Sequence, residues 1–296
     1  MNKTKCGYIA VVGKPNVGKS TLMNALLNQK ISITSKKPQT TRYQVTGIKT
    51  EGDTQFIFVD TPGLHETSAK AMNRYMNRAA RSALVDVDVI LWLVEANVMA
   101  PEDEYVLSLL KDLKTPIFLV LTKSDKIPDK TTLLPFIETV KEKLDFHKII
   151  PISTLKNDNL DALLKEVSML MPEAPFYFDK EQRTDKNKRF LVSEIIREKI
   201  IRNTGQELPY SVTVEIEDWK RKKKVEHLSV IIWVERSGQK TIVIGKEGDK
   251  LKTIGTQARK DIEKLIDEKV FLRLWVKVKE GWSNDDKLLR ELGYHD

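Results

Sequence analysis

The first half of the chain alternates short apolar runs with amphipathic stretches. The apolar runs predict strands at residues 8–12, 56–59, 89–94, 117–121 and 149–152. Strands that are apolar almost throughout are typically buried on both faces of a parallel sheet. Periodic apolar positions between them predict helices over segments such as 20–27, 102–110 and 133–143. This alternation predicts an α/β domain with a mostly parallel, doubly wound sheet.

The pattern changes near Met171. Pro172 and Pro175 interrupt it, and the highly charged segment 178–188 is typical of a connection between domains. Further elements follow, namely a helix at 190–202 with its charges on one face, strands at 212–217 and 228–235, an exposed turn at 219–224, a helix that follows Gly248 and runs to about Ile266, and a strand at 271–278. The chain is therefore predicted to contain two domains and a linker, at 1–172, 190–296 and 173–189.

The composition of the chain indicates its cellular compartment and the kind of partner it binds. The one cysteine, Cys6, cannot form an internal disulfide, which favours a reducing compartment. No apolar run is long enough to span a bilayer, and the polar start lacks the apolar stretch of a signal peptide, so we expect a cytoplasmic protein. The formal charge is +8, and the shorter part after residue 175 contributes +5 of it. A basic excess indicates nucleic acid or an anionic membrane surface as a partner, although an excess this small also occurs on ordinary solvated surfaces.

One glycine-rich segment has the spacing of a phosphate-binding loop. It follows a predicted strand, opens a predicted helix and consists of Gly13, Lys14, Pro15, Asn16, Val17, Gly18, Lys19 and Ser20, with Thr21 next in the helix. Its glycines let the backbone approach phosphates, and the N–H groups at the helix N-terminus stabilise negative charge. Lys19 is predicted to contact the β- and γ-phosphates, and Ser20 to bind Mg²⁺.

Two further segments complete a predicted phosphate and metal site. The first follows the strand at 56–59 and consists of Asp60, Thr61, Pro62 and Gly63. An Asp in this place holds Mg²⁺ through water, and the Gly63 N–H reaches the γ-phosphate. In the polar loop 37–42, a threonine can join the metal shell when GTP is bound and leave it after hydrolysis, and we expect Thr41 rather than Thr40 to do so. The predicted metal ligands are thus Ser20, Thr41 and Asp60.

Base selection is predicted from the segment after the strand at 117–121, which consists of Thr122, Lys123, Ser124 and Asp125. The Asp125 carboxylate can accept from both N1–H and the 2-amino group of guanine, whereas adenine offers neither donor there. The aliphatic stem of Lys123 can cover the base plane. Ser153 and Thr154, after the strand at 149–152, would contact the base from the other side. GTP and GDP are therefore the predicted ligands.

These motifs, in this order, resemble the translation-factor-related class of small GTPases. Thr122 stands where that class usually has Asn, and Thr154 where it usually has Ala. Because Thr keeps a hydroxyl but loses the amide, we expect weaker support of the neighbouring loop without loss of guanine specificity.

The sequence leaves the catalytic group open. Ras-like proteins orient the attacking water with a Gln immediately after the motif glycine, but Leu64 and then His65 follow Gly63 here. We therefore expect slow intrinsic hydrolysis, with water placed by backbone groups near Thr41 and Gly63 or by an RNA-bound partner. Related GTPases with Asn at the position of Asn16 often bind K⁺ beside the phosphates, although a loop-stabilising Asn explains this residue equally well.

A second glycine motif lies in the C-terminal part and precedes the helix from Asp249. It consists of Gly245, Lys246, Glu247 and Gly248. Gly-x-x-Gly before a basic helix resembles the backbone clamp of KH domains, which grip single-stranded nucleic acid. Lys250 and Lys252 add charge, so the four motif residues and these two lysines are the predicted RNA-binding residues. The acidic Glu247 is unfavourable near phosphate.

The two halves together are similar to the Era family, bacterial GTPases with a C-terminal KH domain. The resemblance covers essentially the whole chain and rests on the two glycine motifs and on residues 38–42, 60–63, 194–198, 254–255 and 275–282. It implies a P-loop GTPase domain followed by a prokaryotic-type KH domain of α+β class. It also implies a helical turn at 241–244, where composition alone indicates a strand.

The resemblance further implies binding to the 3′ end of small-subunit ribosomal RNA and a role in maturing the small ribosomal subunit. Some peripheral association with the inner membrane is also implied, and we expect a monomer. Three alternatives remain: a P-loop ATPase or kinase, which Asp125 argues against; a membrane-acting GTPase, for which no strongly amphipathic helix is apparent; and a binding module without hydrolysis, which Lys19, Ser20 and Asp60 argue against.

Overall fold

The computed structural model describes residues 3–35, 37, 40–64, 70–205, 208 and 211–294. Pro38 and Gln39 of the family resemblance, and His65, lie outside these residues. The chain forms two compact units. The first contains Met1–Ser32, Thr41–Ser68 and Met76–Asp185, and the second contains Ile33–Thr40, Ala69–Tyr75 and Lys186–Asp296. None of the described helices combines the length and apolar composition that crossing a bilayer requires.

The first unit is built on a six-stranded sheet in the order β2-β3-β1-β4-β5-β6. Its strands are β1 Lys5–Gly13, β2 Val45–Glu51, β3 Thr54–Asp60, β4 Val89–Glu95, β5 Ile117–Thr122 and β6 Lys148–Pro151. β2 is antiparallel to β3, and the other pairs are parallel. The sequence predicted every strand except β2, which contains Gly47 and polar residues. A Cβ on Gly47 would lie 2.6 Å from Leu27 Cδ1, so a larger residue there would displace the side chains of α1.

Helices of the first half are α1 Lys19–Leu27, α2 Ala71–Ser82, α3 Pro101–Leu110, α4 Leu133–Lys141 and α5 Leu160–Leu170. Neither α2 nor α5 is among the predicted helices. A buried apolar cluster beside the sheet includes Trp92 and Leu119 from central strands and Val106 from α3. Because all strands except β2 are parallel, their carboxyl ends lie at one edge of the sheet, where the loops that follow them come together.

The second unit is an α+β domain with a three-stranded sheet in the order β7-β8-β9. Its elements are α6 Lys188–Asn203, β7 Val212–Lys222, β8 Val225–Val234, α7 Ser237–Ile244, α8 Asp249–Ile266, β9 Lys269–Val278 and α9 Asp286–Glu291. β8 is antiparallel to β7 and parallel to β9. One face of this sheet packs against α6 and α8 through residues such as Ile196, Ile232 and Ile262.

Two local predictions for the second unit have clear outcomes. The prediction of an exposed turn at 219–224 is wrong, because β7 continues to Lys222. Only Lys223 and Lys224, both with positive φ, form the turn. Trp219 pairs with Leu228 and packs on the core, and the charged residues after it concealed the strand pattern. The helical turn that the family resemblance implied at 241–244 is confirmed by α7.

The segment 173–185 is hydrogen-bonded to the six-stranded sheet. Glu173 forms a β-bridge with Lys5, and Thr184 forms one with Gly47. The Gln55 side-chain oxygen accepts from the Tyr177 and Phe178 N–H groups at 3.0 and 3.1 Å. The limits of the linker predicted at 173–189 stay a prediction.

Candidate nucleotide and nucleic-acid sites

The predicted phosphate loop occupies the turn between β1 and α1. Asn16 and Gly18 have positive φ angles of 62° and 115°, which fold the chain back so that α1 begins at Lys19. Gly63, at the end of the segment after β3, lies directly against this turn. A Cβ on Gly63 would be 2.7 Å from Pro15 Cγ, so only glycine permits this approach. The structure therefore brings both predicted phosphate-binding segments together.

Lys19 is buried beneath this loop. Its Nζ donates to the carbonyl oxygens of Gly13 and Lys14, both at 2.9 Å. Burial lowers its pKa to about 8, and the neighbouring Asp60 and Asp103 oppose that shift. A buried ammonium with two neutral acceptors is well placed to receive the charged oxygens of a phosphate.

The three predicted metal ligands meet beside Lys19. Ser20 Oγ donates to Asp60 Oδ2 at 2.7 Å and lies 2.8 Å from Thr41 Oγ1. Asp60 is fully buried, and its Oδ1 has no hydrogen-bond partner within the described part of the chain. Burial raises the pKa of Asp60, while the Ser20 hydrogen bond and Lys19 oppose the rise. A carboxylate with an unsatisfied oxygen and two hydroxyls fits Mg²⁺, which prefers hard oxygen ligands.

Thr40 has a different environment from Thr41. Its Oγ1 donates to the Lys37 carbonyl at 2.7 Å. Arg197 of α6 donates to the Thr40 carbonyl oxygen, and the buried Glu198 accepts from the Thr34 N–H at 3.1 Å. The segment immediately before Thr41 is therefore tied to α6, within the second unit.

The predicted base-binding residues lie at the ends of β5 and β6. Ser153 Oγ donates to Asp125 Oδ1 at 2.5 Å, which orients the carboxylate. Thr122 Oγ1 donates to the carbonyl of Val17 in the phosphate loop at 2.8 Å. The hydroxyl of Thr122 therefore supports the neighbouring loop without the amide that Asn would supply. Thr154 follows Ser153 directly in the chain and is partly buried.

Two carboxylates of this site were missed by sequence reasoning. Glu95 accepts from the Lys123 and Lys126 ammonium groups at 2.5 and 2.9 Å, which fixes the lysine that is predicted to cover the base. Asp103 is buried and accepts from Lys14 of the phosphate loop at 2.7 Å. Glu95 is the last residue of the parallel strand β4, so its position at the edge of the sheet could have identified it from the sequence. Asp103 lies in the first turn of α3, and only the tertiary structure brings it to Lys14.

Leu64, at the position of the Ras-like Gln, is fully buried in the apolar cluster that also contains Val12 and Trp92. It can neither reach solvent nor contact an attacking water. His65 lies outside the described residues. The catalytic group therefore stays open among Thr41, Gly63 and Asn16, as the sequence left it.

The second glycine motif forms a sharp turn before α8. Gly245 and Gly248 have φ angles of 75° and 84°, a region that favours glycine. A Cβ on Gly245 would lie 2.7 Å from Lys250 Cβ, whereas a Cβ on Gly248 would have no atom within 4 Å. The turn thus leaves open space beside Gly248, next to the N-terminus of an 18-residue helix. Lys246 and Glu247 are exposed within the turn.

A groove of about 420 Å³ continues from this turn between α8 and β9. It is lined by Gly248, Leu251, Lys252, Gly255, Thr256, Arg259, Leu272 and Leu274. Of the predicted RNA-binding residues, Gly248 and Lys252 line the groove, Gly245, Lys246 and Glu247 lie in the turn, and Lys250 lies in the first turn of α8. Arg259 was not predicted. Its spacing of seven residues from Lys252 places both cations on one face of α8 and was the available signal.

Comparison with known proteins identifies a family match in each half of the chain. Residues 8–123 match a family described as 50S ribosome-binding GTPase, and residues 207–283 match the KH domain family. GTPase Era of Coxiella burnetii (strain Dugway 5J108-111) is 54% identical over 100% of both chains. GTPase Era of Pseudomonas fluorescens (strain Pf0-1) is 52% identical over 100% of this chain and 98% of the relative.

Two solved structures are similar over 99% of this chain and 100% of their own, each with a TM-score of 0.96. One is Era in complex with MgGDPNP and nucleotides 1506–1542 of 16S ribosomal RNA, at 39% identity. The other is a single-residue variant of Aquifex aeolicus Era bound to GDP.AlF4-, at 38% identity. The predicted fold, a P-loop GTPase domain followed by a KH domain, is confirmed.

Proposed function

Because this chain belongs to the Era family of GTPases, we propose that it binds the 3′ end of small-subunit ribosomal RNA under the control of GTP and assists maturation of the small ribosomal subunit. The observation that carries the proposal is the presence of both sites in one chain. A phosphate and guanine site lies at the edge of the first sheet, and a Gly-x-x-Gly turn opens onto a basic groove in the second unit. A relative similar over nearly the whole chain is known in complex with such RNA.

The nucleotide site supplies position and charge rather than covalent chemistry. Ser20, Thr41 and Asp60 would hold Mg²⁺, which when bound neutralises charge on the β- and γ-phosphate oxygens. Lys19 adds a buried positive charge, and the Gly63 N–H donates to the γ-phosphate. Asp125, oriented by Ser153, selects guanine.

The switch depends on Thr41. The γ-phosphate and metal favour its place beside Ser20, and hydrolysis removes that stabilisation. Thr40, the preceding residue, is bonded through its carbonyl to Arg197 of α6. A change at Thr41 is therefore passed along the chain to a segment that is tied to the first helix of the RNA-binding unit.

We expect K⁺ to assist hydrolysis through Asn16. This residue is exposed in the phosphate loop. Its positive φ of 62° is one that asparagine tolerates, and the exposed side-chain oxygen could bind a cation. The GTPase rate should be roughly ten-fold higher in K⁺ than in Na⁺ at equal ionic strength, since a cation beside the phosphates acts as an arginine finger does. The measurement is steady-state release of phosphate in each salt.

Asn16→Gly is the matched variant, because glycine accepts the positive φ and lacks the side-chain oxygen that would bind the cation. It should abolish the preference for K⁺ and retain GTP binding, while Asn16→Asp should retain the preference. Equal wild-type rates in the two salts would refute a role for K⁺.

The proposed function is tested by crosslinking the GTP-bound full-length protein to total cellular RNA and sequencing the bound fragments. We expect enrichment of the 3′ end of small-subunit ribosomal RNA over all other RNA. The Gly248→Asp variant is the control and should lose this enrichment. Fragments spread evenly over transfer, messenger and ribosomal RNA would contradict the proposal.

The family resemblance also supports a monomer in the cytoplasm with peripheral contact at the inner membrane. Cell fractionation tests the location. Most of the protein should be recovered in the soluble fraction, and a smaller part should be released from membranes by high salt, because such contact would be electrostatic.

A further inference from the structure

The sheet of the second unit has a second face, opposite α6 and α8. Side chains alternate along β9, so Val270 and Val276 enter the core while Phe271 and Trp275 point away from it. Phe271 is 48% exposed and Trp275 is 52% exposed. We call this surface the aromatic face, defined by His227, Trp233, Phe271, Arg273, Trp275 and Lys277.

Cations lie among the rings of the aromatic face. The Arg273 guanidinium is 5.7 Å from the Phe271 ring centroid, and Lys277 Nζ is 5.8 Å from that of Trp233. The rings of His227 and Phe271 are 5.1 Å apart. Exposed rings that alternate with cations are typical of surfaces that bind single-stranded nucleic acid, because bases stack on the rings and phosphates pair with the cations.

The carboxylates at the border of the aromatic face are already engaged. Glu215 of β7 accepts from Trp233 Nε1 at 2.7 Å, which fixes that ring. Glu217 lies 4.0 Å from Lys277. Arg273 makes no ion pair with any described residue and is exposed. The outward positions of β9 carry Lys269, Arg273 and Lys277 and no carboxylate, so the charge along this strand is positive and complements a polyanion.

The aromatic face is continuous with the Gly-x-x-Gly groove around the edge of the sheet. β9 is an edge strand, so its outer side has no neighbouring strand in the described sheet. Leu272 and Leu274 line the groove, and their neighbours Phe271, Arg273 and Trp275 belong to the aromatic face. A nucleic-acid strand that leaves the groove across β9 meets these three side chains next.

We propose that the aromatic face is a second RNA-binding site, where unpaired bases adjoining the segment in the groove stack on Trp275 and Phe271. The site would take single-stranded nucleotides of the same RNA and extend the contact beyond the Gly-x-x-Gly clamp. This inference rests on the proposed RNA-binding function. It assigns Trp275 the central stacking role, with Arg273 and Lys277 contacting the adjoining phosphates.

The test compares Trp275→Leu with Trp275→Phe in the full-length protein bound to a GTP analogue. Both variants remove the indole from an exposed position, so both should fold, but only phenylalanine keeps a π-face. Two RNAs serve as probes: nucleotides 1506–1542 of 16S ribosomal RNA, and a single strand of about four nucleotides, the length that a KH clamp holds. Binding is measured by fluorescence anisotropy for the long RNA and by competition for the short one.

We expect Trp275→Leu to lower the affinity for the long RNA roughly ten-fold, which is the effect of losing one base–aromatic stack. The affinity for the short RNA should be unchanged. Trp275→Phe should restore most of the affinity. Phe271→Leu should act in the same direction as Trp275→Leu.

Unchanged affinity for the long RNA in both leucine variants would overturn the proposal. If Gly248→Asp still weakens RNA binding in the same assay, the groove is functional and the negative result applies to the aromatic face alone. Weakening by Trp275→Phe equal to that by Trp275→Leu would exclude stacking. Loss of concentration-dependent self-association, with RNA binding intact, would instead assign the face to a second copy of the chain.

Discussion

Asp125→Asn should reduce affinity for GTP and GDP by at least about 100-fold. The carboxylate is the acceptor for two guanine donors, and hydrogen bonds to a charged group are worth about 1.5–3 kcal/mol each. The asparagine side chain also offers a donor to a base edge that carries donors, so the loss is not compensated. Ser153, which donates to Asp125 at 2.5 Å, keeps the new side chain in place. The measurement is nucleotide affinity by calorimetry or by displacement of a fluorescent analogue.

Xanthine nucleotides provide the control for Asp125→Asn. Xanthine has an acceptor at C2 where guanine has a donor, so the asparagine amide should complement it. The variant should therefore bind XTP better than GTP, the reverse of the wild-type order. Weak binding of both nucleotides would mean that the substitution had disrupted the loop, and unchanged GTP binding would show that Asp125 does not select the base.

Gly248→Asp should lower RNA affinity by about 100-fold or more and leave GTP hydrolysis without RNA unchanged. A Cβ on Gly248 meets no atom within 4 Å, so the side chain fits, but it projects into the open space beside the turn. A carboxylate placed against a phosphate costs several kcal/mol. The φ of 84° favours glycine, and of the other residues asparagine and aspartate tolerate it best.

Gly248→Asn is the matched control, because asparagine has the same shape and tolerates a positive φ but carries no charge. It should weaken RNA binding far less than Gly248→Asp does. Gly245→Asp should also abolish binding, but through a clash, since its Cβ would lie 2.7 Å from Lys250 Cβ. RNA binding that survives both aspartate variants would show that the turn is not the clamp.

The parallel strands of the first unit were predictable because burial on both faces leaves a continuous apolar run. β2 was not, because it is an antiparallel edge strand with polar positions and a glycine that packs closely against α1. The phosphate loop was predictable because its chemistry is local. The contacts of Asp103 with Lys14, and the burial of Leu64, depend on elements far apart in sequence, which spacing within a motif does not reveal.

Helix α6 shows a further limit of pattern reasoning. Its charged face was visible in the sequence and is typical of a solvated surface, yet Arg197 and Glu198 are buried. Arg197 pairs with Glu194 and reaches the Thr40 carbonyl. Buried charges require partners, and one partner of Arg197 is a backbone carbonyl more than 150 residues earlier in the chain. Such a contact appears only in the folded structure.

The most direct test of GTP-controlled RNA binding is the affinity for nucleotides 1506–1542 of 16S ribosomal RNA, measured with a non-hydrolysable GTP analogue and with GDP on the same preparation. If Thr41 and the segment tied to α6 respond to the γ-phosphate, the analogue should strengthen RNA binding by about ten-fold, within the usual range of coupling between two sites. By linkage, RNA should strengthen binding of the analogue by the same factor. Equal RNA affinities in the two nucleotide states would contradict nucleotide control, even with both sites intact.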